Sequence, residues 1–299
     1  MLINEISIIL PALNEEKSIP ILLNEIYKNL NKTDISYEII LVDDGSENHL
    51  EDYIEKNEKL KIFRNHYTKG QTQSILYGIE ESNFEYLFIL DSDGQNPPSE
   101  IMKIVNYYNE NFDSCDVVSG IRVNRKDKKV RSLYSKFANW MIRLLTKSKC
   151  KDLGCAMKLF RKDMLSGIEF NGDIHRIIVP IFEYRNYKLL QINVKHNPRE
   201  FGETNYGFGR VIAVTIDSIL LYLTEGFTKS VRYALGKLSL YFGILSTLFF
   251  SLAIYQKYTA EIFVHKNPIF LIGIVTFFVS LQFFATSITS FFIENKYKN

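Results

Sequence analysis

The C-terminal end of this chain constrains its fold more than any other part. Leu238 to Gln256 is an uncharged run of 19 residues and Asn267 to Ile293 one of 27. At 1.5 Å of rise per residue, each helix would cross the ~30 Å hydrocarbon core of a bilayer. From Leu238 to Ile293 only Lys257, Glu261 and Lys266 are charged, whereas the whole chain of 299 residues carries 36 Lys plus Arg and 34 Asp plus Glu. Two such spans joined by a short loop make a hairpin with both ends on one side. The competing reading, two core helices of a larger domain, is disfavoured because uninterrupted apolar runs of this length are rare in soluble cores. Arg210, Lys229, Arg232 and Lys237 precede the first run, and Lys296 and Lys298 follow the second. The positive-inside bias therefore predicts that both termini and the large N-terminal domain are cytoplasmic. At the N-terminus, Ile6 to Pro11 is too short for a signal peptide and follows Glu5 rather than a basic region.

Composition excludes several classes for the remainder. A net charge of +2 lacks the basic excess of a nucleic-acid binder. Cys115, Cys150 and Cys155 are odd in number and show no CxxC spacing, so reduced thiols are expected rather than disulfides or zinc. The five histidines, His49, His66, His175, His196 and His265, show no metal-ligand spacing. Of these, His175, just before a helix predicted over Ile177 to Tyr184, is the best placed to act as acid or base.

Short β-branched runs recur with helical stretches between them, at Ile6 to Leu10, Tyr37 to Val42, Lys61 to Arg64, Tyr86 to Leu90 and Asp116 to Val118. This alternation predicts an α/β fold, a parallel sheet with helices on both faces. Ligands of such sheets bind beyond the carboxyl ends of the strands. Those ends carry Pro11-Ala12-Leu13-Asn14-Glu15, Asp43-Asp44-Gly45-Ser46 and Asp91-Ser92-Asp93, which should line one crevice. No GxGxxG follows the first strand and no GxxxxGK[ST] occurs, so neither phosphate cradle is present. The acidic pair offers oxygen ligands suited to Mg²⁺ or Mn²⁺, which would bridge diphosphate oxygens that the carboxylates alone repel.

The ordered set ILPALNEE, VDDGS, LDSDGQNPP, SGIR and REFGETNYG resembles the family 2, GT-A type glycosyltransferases, within them the polyprenyl-phosphate group that includes dolichyl-phosphate mannose synthase and its bacterial relatives. The resemblance runs from about Ile6 to Gly209, and the two-span tail resembles a bacterial branch. It implies a GT-A domain over residues 1–205, amphipathic juxtamembrane helices over 206–236 and a transmembrane hairpin over 237–299. It further implies transfer of one sugar, with inversion, from a UDP- or GDP-sugar to a polyprenyl phosphate, undecaprenyl phosphate being favoured. Pro11, Leu13 and Glu15 then match the first nucleotide-contacting loop. Val42 and Asp44 match the pair that holds the base, Asp44 accepting from a ring N–H, with Leu90 and Ser92 in the same nucleotide site. Asp91, Asp93 and Gln95 match the metal and diphosphate ligands, and Arg122 and Arg199 the phosphate-holding arginines, a role suited to a bidentate, permanently charged guanidinium. Arg125, Arg131, Thr204 and Asn205 are further candidates on the acceptor or phosphate side. Two positions depart from the family pattern: Leu13 stands where Tyr is common, and Asn205 where RxxGxSK places a Lys.

Downstream of Arg122, a basic stretch leads into Leu133, Phe137, Trp140, Met141, Leu144 and Leu145 at helical spacing. It reads either as a membrane-surface helix or as a core-facing helix with a solvated basic face, and the apolar tail favours the former. Phe208 to Leu223 suits an in-plane helix before the hairpin. Asp152 to Arg161 resembles a segment of the bacterial branch on the acceptor side. A processive polysaccharide synthase is disfavoured by the absence of Q-x-x-R-W, and a nucleotide-sugar binder without turnover by the presence of Asp91, Asp93, Arg122 and Arg199. Packing of the spans between chains would give a homo-oligomer.

Overall fold

The computed structural model describes residues 2–123, 143, 148–168, 172–199, 231–260 and 262–296. The chain divides into two compact units, Met1–Ile219 and Leu220–Asn299.

The first unit is built on β1 (Glu5–Ala12), β2 (Ser36–Asp43), β3 (Leu60–Arg64), β4 (Tyr86–Ile89), β5 (Val117–Arg122), β6 (Lys158–Arg161) and β7 (Leu189–Val194). They form one sheet in the order β3-β2-β1-β4-β6-β5-β7. All neighbours pair in parallel except β6, which runs antiparallel to both β4 and β5. In β1 and β2 every residue after the first is buried, as expected of central strands covered on both faces. Five strands fall on the runs that the sequence marks. β6 and β7 do not, because β6 has only four residues and opens on a lysine, and β7 is only partly buried over most of its length.

Helices α1 (Ile19–Leu30), α2 (Gln71–Glu80), α3 (Ser99–Glu110) and α4 (Ile174–Tyr184) cover the sheet. Leu22, Leu23 and Ile26 of α1 and Ile101, Ile104 and Val105 of α3 join Ile6, Ile8, Leu10, Leu41 and Phe88 in one core. Each such aliphatic side chain contributes about 1.5–3 kcal/mol by leaving water. Side chains alternate across a strand, so Ile9 and Ile40 point to the other face, where α2 lies so close that a Cβ on Gly78 would sit 2.7 Å from Ile9 Cγ2. Gly78→Val should therefore lower stability by about 1–3 kcal/mol through overpacking, read as a fall in the urea midpoint. Phe182 of α4 packs on Phe160 of β6 with ring centroids 5.0 Å apart. The helix expected from Ile177 begins at Ile174, so His175 lies within its first turn.

The second unit is a pair of 29-residue helices, α5 (Val231–Thr259) and α6 (Pro268–Lys296). Ser287 Oγ donates to Arg232 O (2.8 Å), Ser280 Oγ to Ser239 O (2.8 Å) and Ser246 Oγ to Gly273 O (2.9 Å). These pairs step along an antiparallel seam of small residues that lets the backbones approach, as membrane helices favour. The outer surface is apolar and open, with Leu240 67%, Tyr241 76%, Phe278 64% and Phe292 66% exposed. Core helices of a soluble domain would bury such side chains. Both helices are long and apolar enough to cross a membrane.

Candidate functional site

The carboxyl ends of β1, β2 and β4 meet in one loop cluster. Asn14 takes a left-handed φ of 56°, which a short polar side chain tolerates. Its N–H donates to Ser46 Oγ and its Oδ1 accepts from Glu47 N, each at 2.9 Å, joining the β1 and β2 loops. The two aspartates of the β2 loop divide the work. Asp43 accepts from Ser46 N (2.8 Å) and Arg64 Nη1 (2.6 Å), shaping its own turn. Asp44, 3% exposed, accepts from Asn65 Nδ2 (2.8 Å), Lys69 N (3.0 Å) and Gly70 N (2.8 Å). Its carboxylate thus clamps the loop leading into α2, a role the sequence does not reveal.

That clamp delivers Gln71 to the acidic pair, where its Nε2 donates to Asp91 Oδ1 at 2.8 Å. Ser92 Oγ donates to Pro11 O, tying the β4 loop to β1. Asp93 accepts from Gln95 N at 3.0 Å. Burial, reinforced by the neighbouring Asp91 charge, pushes the Asp93 carboxyl up to about 6. Beyond β7, Asn197 N donates to Gln95 O (2.8 Å) and Gln95 Nε2 reaches Asn197 O (3.4 Å). This crossing brings Arg199 onto Glu15, with which it forms an ion pair. Burial pushes the Glu15 carboxyl up against the opposing pull of Ser18 and Arg199. Of the other nucleotide candidates, Val42 and Leu90 are fully buried, Pro11 is buried and Leu13 partly exposed.

Arg122, at the end of β5, is gripped by Asp152. Its Nε and Nη2 each donate to the carboxylate at 2.8 Å and its backbone N–H at 3.1 Å. Lys158, on β6, is 3% exposed and donates to Cys155 O at 2.5 Å. Burial lowers its pKa, opposed by Cys155, Cys150, Asp91 and Asp152 nearby. The three cysteines are buried and free, and burial pushes the thiols of Cys150 to about 11 and Cys155 to about 12, so they are poor nucleophiles. His175 Nδ1 lies 2.7 Å from Thr72 Oγ1 in the α2–α4 packing. Arg125, Arg131, Thr204 and Asn205 lie outside the described residues, as do the segment 208–223 and all of 132–145 except Arg143.

The family model described as "Glycosyl transferase family 2" matches residues 7–168. The chain belongs to glycosyl transferase family 2. One relative of this glycosyltransferase is the undecaprenyl-phosphate 4-deoxy-4-formamido-L-arabinose transferase of Pectobacterium atrosepticum, 31% identical over 74% of this chain and 68% of its own. Another, the dodecaprenyl-phosphate galacturonate synthase of Rhizobium johnstonii, is 27% identical and aligns over 98% of this chain and 88% of its own, the apolar helices included. Glucosyl-3-phosphoglycerate synthase of Mycobacterium tuberculosis, solved with Mn²⁺, UDP and phosphoglyceric acid, superposes with a TM-score of 0.59 at 16% identity, over 74% of this chain and 78% of that one. The likeness gives the fold of the first unit, GT-A.

The acidic pair of this glycosyltransferase fits a divalent cation. Two carboxylates share a half-buried place where burial and then their mutual repulsion raise the Asp93 pKa, and an added positive charge relieves both. Among the described residues no group of three His, Cys, Asp or Glu side chains converges as a metal site. Remaining ligands would come from Gln95 and from a diphosphate.

Proposed function

We propose that the enzyme moves one sugar from a UDP- or GDP-sugar to a polyprenyl phosphate, undecaprenyl phosphate foremost, with inversion at the anomeric carbon. The observation that carries this reading is the alignment with a dodecaprenyl-phosphate galacturonate synthase through catalytic domain and apolar helices together. In this reading residues 1–205 form the cytoplasmic catalytic domain, and α5 and α6 form the spanning hairpin, which begins at Arg232 rather than at 237, with both termini inside.

A phosphate monoester is largely dianionic at neutral pH, so its oxygen attacks the anomeric carbon without a strong general base. The bond to the nucleoside diphosphate breaks as the new one forms. What the protein supplies is alignment and charge compensation. Asp91, Asp93 and Gln95 would hold Mg²⁺ or Mn²⁺, which neutralises the leaving diphosphate. Arg122 and Arg199 hold phosphate groups, each fixed by a carboxylate, Asp152 and Glu15. Pro11, Leu13, Val42, Leu90 and Ser92 bound the nucleotide pocket, and the tethered Asp44 shapes its floor.

Detergent-purified protein, incubated with Mn²⁺ or Mg²⁺, undecaprenyl phosphate and labelled UDP- and GDP-sugars, should transfer label from one donor into the lipid phase. Labelling of a polymer, or nucleotide binding with no lipid labelling by any donor, would overturn the reading.

A further inference from the structure

The turn between β5 and β6 is more than a connection. Cys155 N donates to Asp152 O at 3.3 Å, closing a turn over Asp152–Cys155. Asp152 forks the Arg122 side chain and also takes its backbone N–H, so it fixes both ends of that residue. Gly154 leaves the guanidinium its place, since a Cβ there would lie 2.8 Å from Arg122 Nη2. Cys155 in turn packs on Gly120, where a Cβ would meet its Sγ at 2.9 Å. Lys158 reaches back from β6 to hold the Cys155 carbonyl at 2.5 Å. A buried amine spent on one turn carbonyl is a costly way to make a loop. It is an effective way to hold one guanidinium in one orientation.

We propose that Asp152, Gly154 and Lys158 are positioning residues that form a rigid seat for Arg122 and aim its guanidinium at a phosphate group of the substrates. The inference rests on the assignment of Arg122 to phosphate recognition and goes beyond it by naming what makes that arginine effective. Arg side chains have much rotamer entropy to lose, and a pre-set fork removes that penalty before the ligand arrives. The seat also gives a use to the buried lysine that stands two residues before the core position Phe160.

Gly154→Ala is the sharpest probe. Gly154 is not among the positive-φ glycines, so Ala fits its backbone, and the atom that its Cβ meets is a side-chain terminus rather than backbone, so the methyl displaces the guanidinium and not the fold. The full-length protein in detergent should still unfold in one cooperative transition while its affinity for inorganic pyrophosphate, measured calorimetrically with Mn²⁺, falls about tenfold, and kcat/KM for transfer falls with it. Lys158→Met, which keeps the apolar stem, should act in the same direction. In an Arg122→Ala background neither change should weaken pyrophosphate binding further, because residues acting through one side chain are non-additive. Equal losses in both backgrounds, or no loss from Gly154→Ala, would overturn the seat. If Arg122→Ala alone leaves pyrophosphate binding and transfer intact, the phosphate assignment of Arg122 falls instead.

Discussion

Asp93→Asn should cost sugar transfer roughly 10²–10³-fold and yet raise the melting temperature of the metal-free protein at pH 8. The two effects share one cause. Asp93 is placed in a half-buried site beside Asp91, and its carboxyl is raised from the usual 3.8 to about 6. A group that binds its proton more tightly when folded stabilises the fold fully below its unfolded pKa. That contribution is lost as pH rises through the folded value. At pH 8 the ionised Asp93 therefore opposes folding, on the order of 3 kcal/mol at 1.36 kcal/mol per pKa unit. Asn has the shape of the protonated acid and no charge. Its advantage amounts to roughly 6–12 °C for a domain of this size. It should narrow as pH falls through about 6 and vanish below about 4. Saturating Mn²⁺ should stabilise the wild type and not the variant, since the ionised pair is what a cation binds. Scanning calorimetry of chelator-treated protein across this pH range decides the matter. A variant that melts below wild type at pH 8 without metal, or one that retains turnover, would remove Asp93 from the site.

The strand framework was legible because central parallel strands are written as short β-branched runs, and those strands alone place the polar clusters at one end of the sheet. The antiparallel β6 was not legible, because its four residues begin with Lys158, a buried charge that breaks the apolar pattern. Resemblance pointed to acidic and basic residues at the strand ends but not to the partners that hold them. Gln71 on Asp91, Asp152 on Arg122 and Glu15 on Arg199 join positions separated by 20, 30 and 184 residues. No local periodicity links such positions. In the hairpin, hydropathy gave the spans, whereas the register rests on Ser239, Ser246, Ser280 and Ser287, which in sequence are ordinary small residues among apolar ones.

Asp44 is where the two kinds of reading separate most clearly, and its replacement tests them. Resemblance gives Asp44 to the nucleotide base, in which case Asp44→Ala would weaken nucleotide binding and leave the empty protein as stable as before. The geometry gives it a structural duty first. Three donors, Asn65 Nδ2, Lys69 N and Gly70 N, converge on a carboxylate that is 3% exposed. Hydrogen bonds to a charged acceptor contribute about 1.5–3 kcal/mol each, and stranded donors add their own desolvation cost. Asp44→Ala should therefore destabilise the nucleotide-free protein by about 3–5 kcal/mol, seen as a lower urea midpoint. Asp44→Asn should fall in between. Its one carbonyl oxygen can serve Asn65 and Lys69, but its amide then faces the Gly70 N–H, donor against donor, and flipping the amide only moves the clash. Because Gly70 leads directly into Gln71, the same loss should free the Gln71 carboxamide from Asp91 and lower transfer even where enough folded protein remains. An unchanged urea midpoint with weakened nucleotide binding would return Asp44 to the base alone.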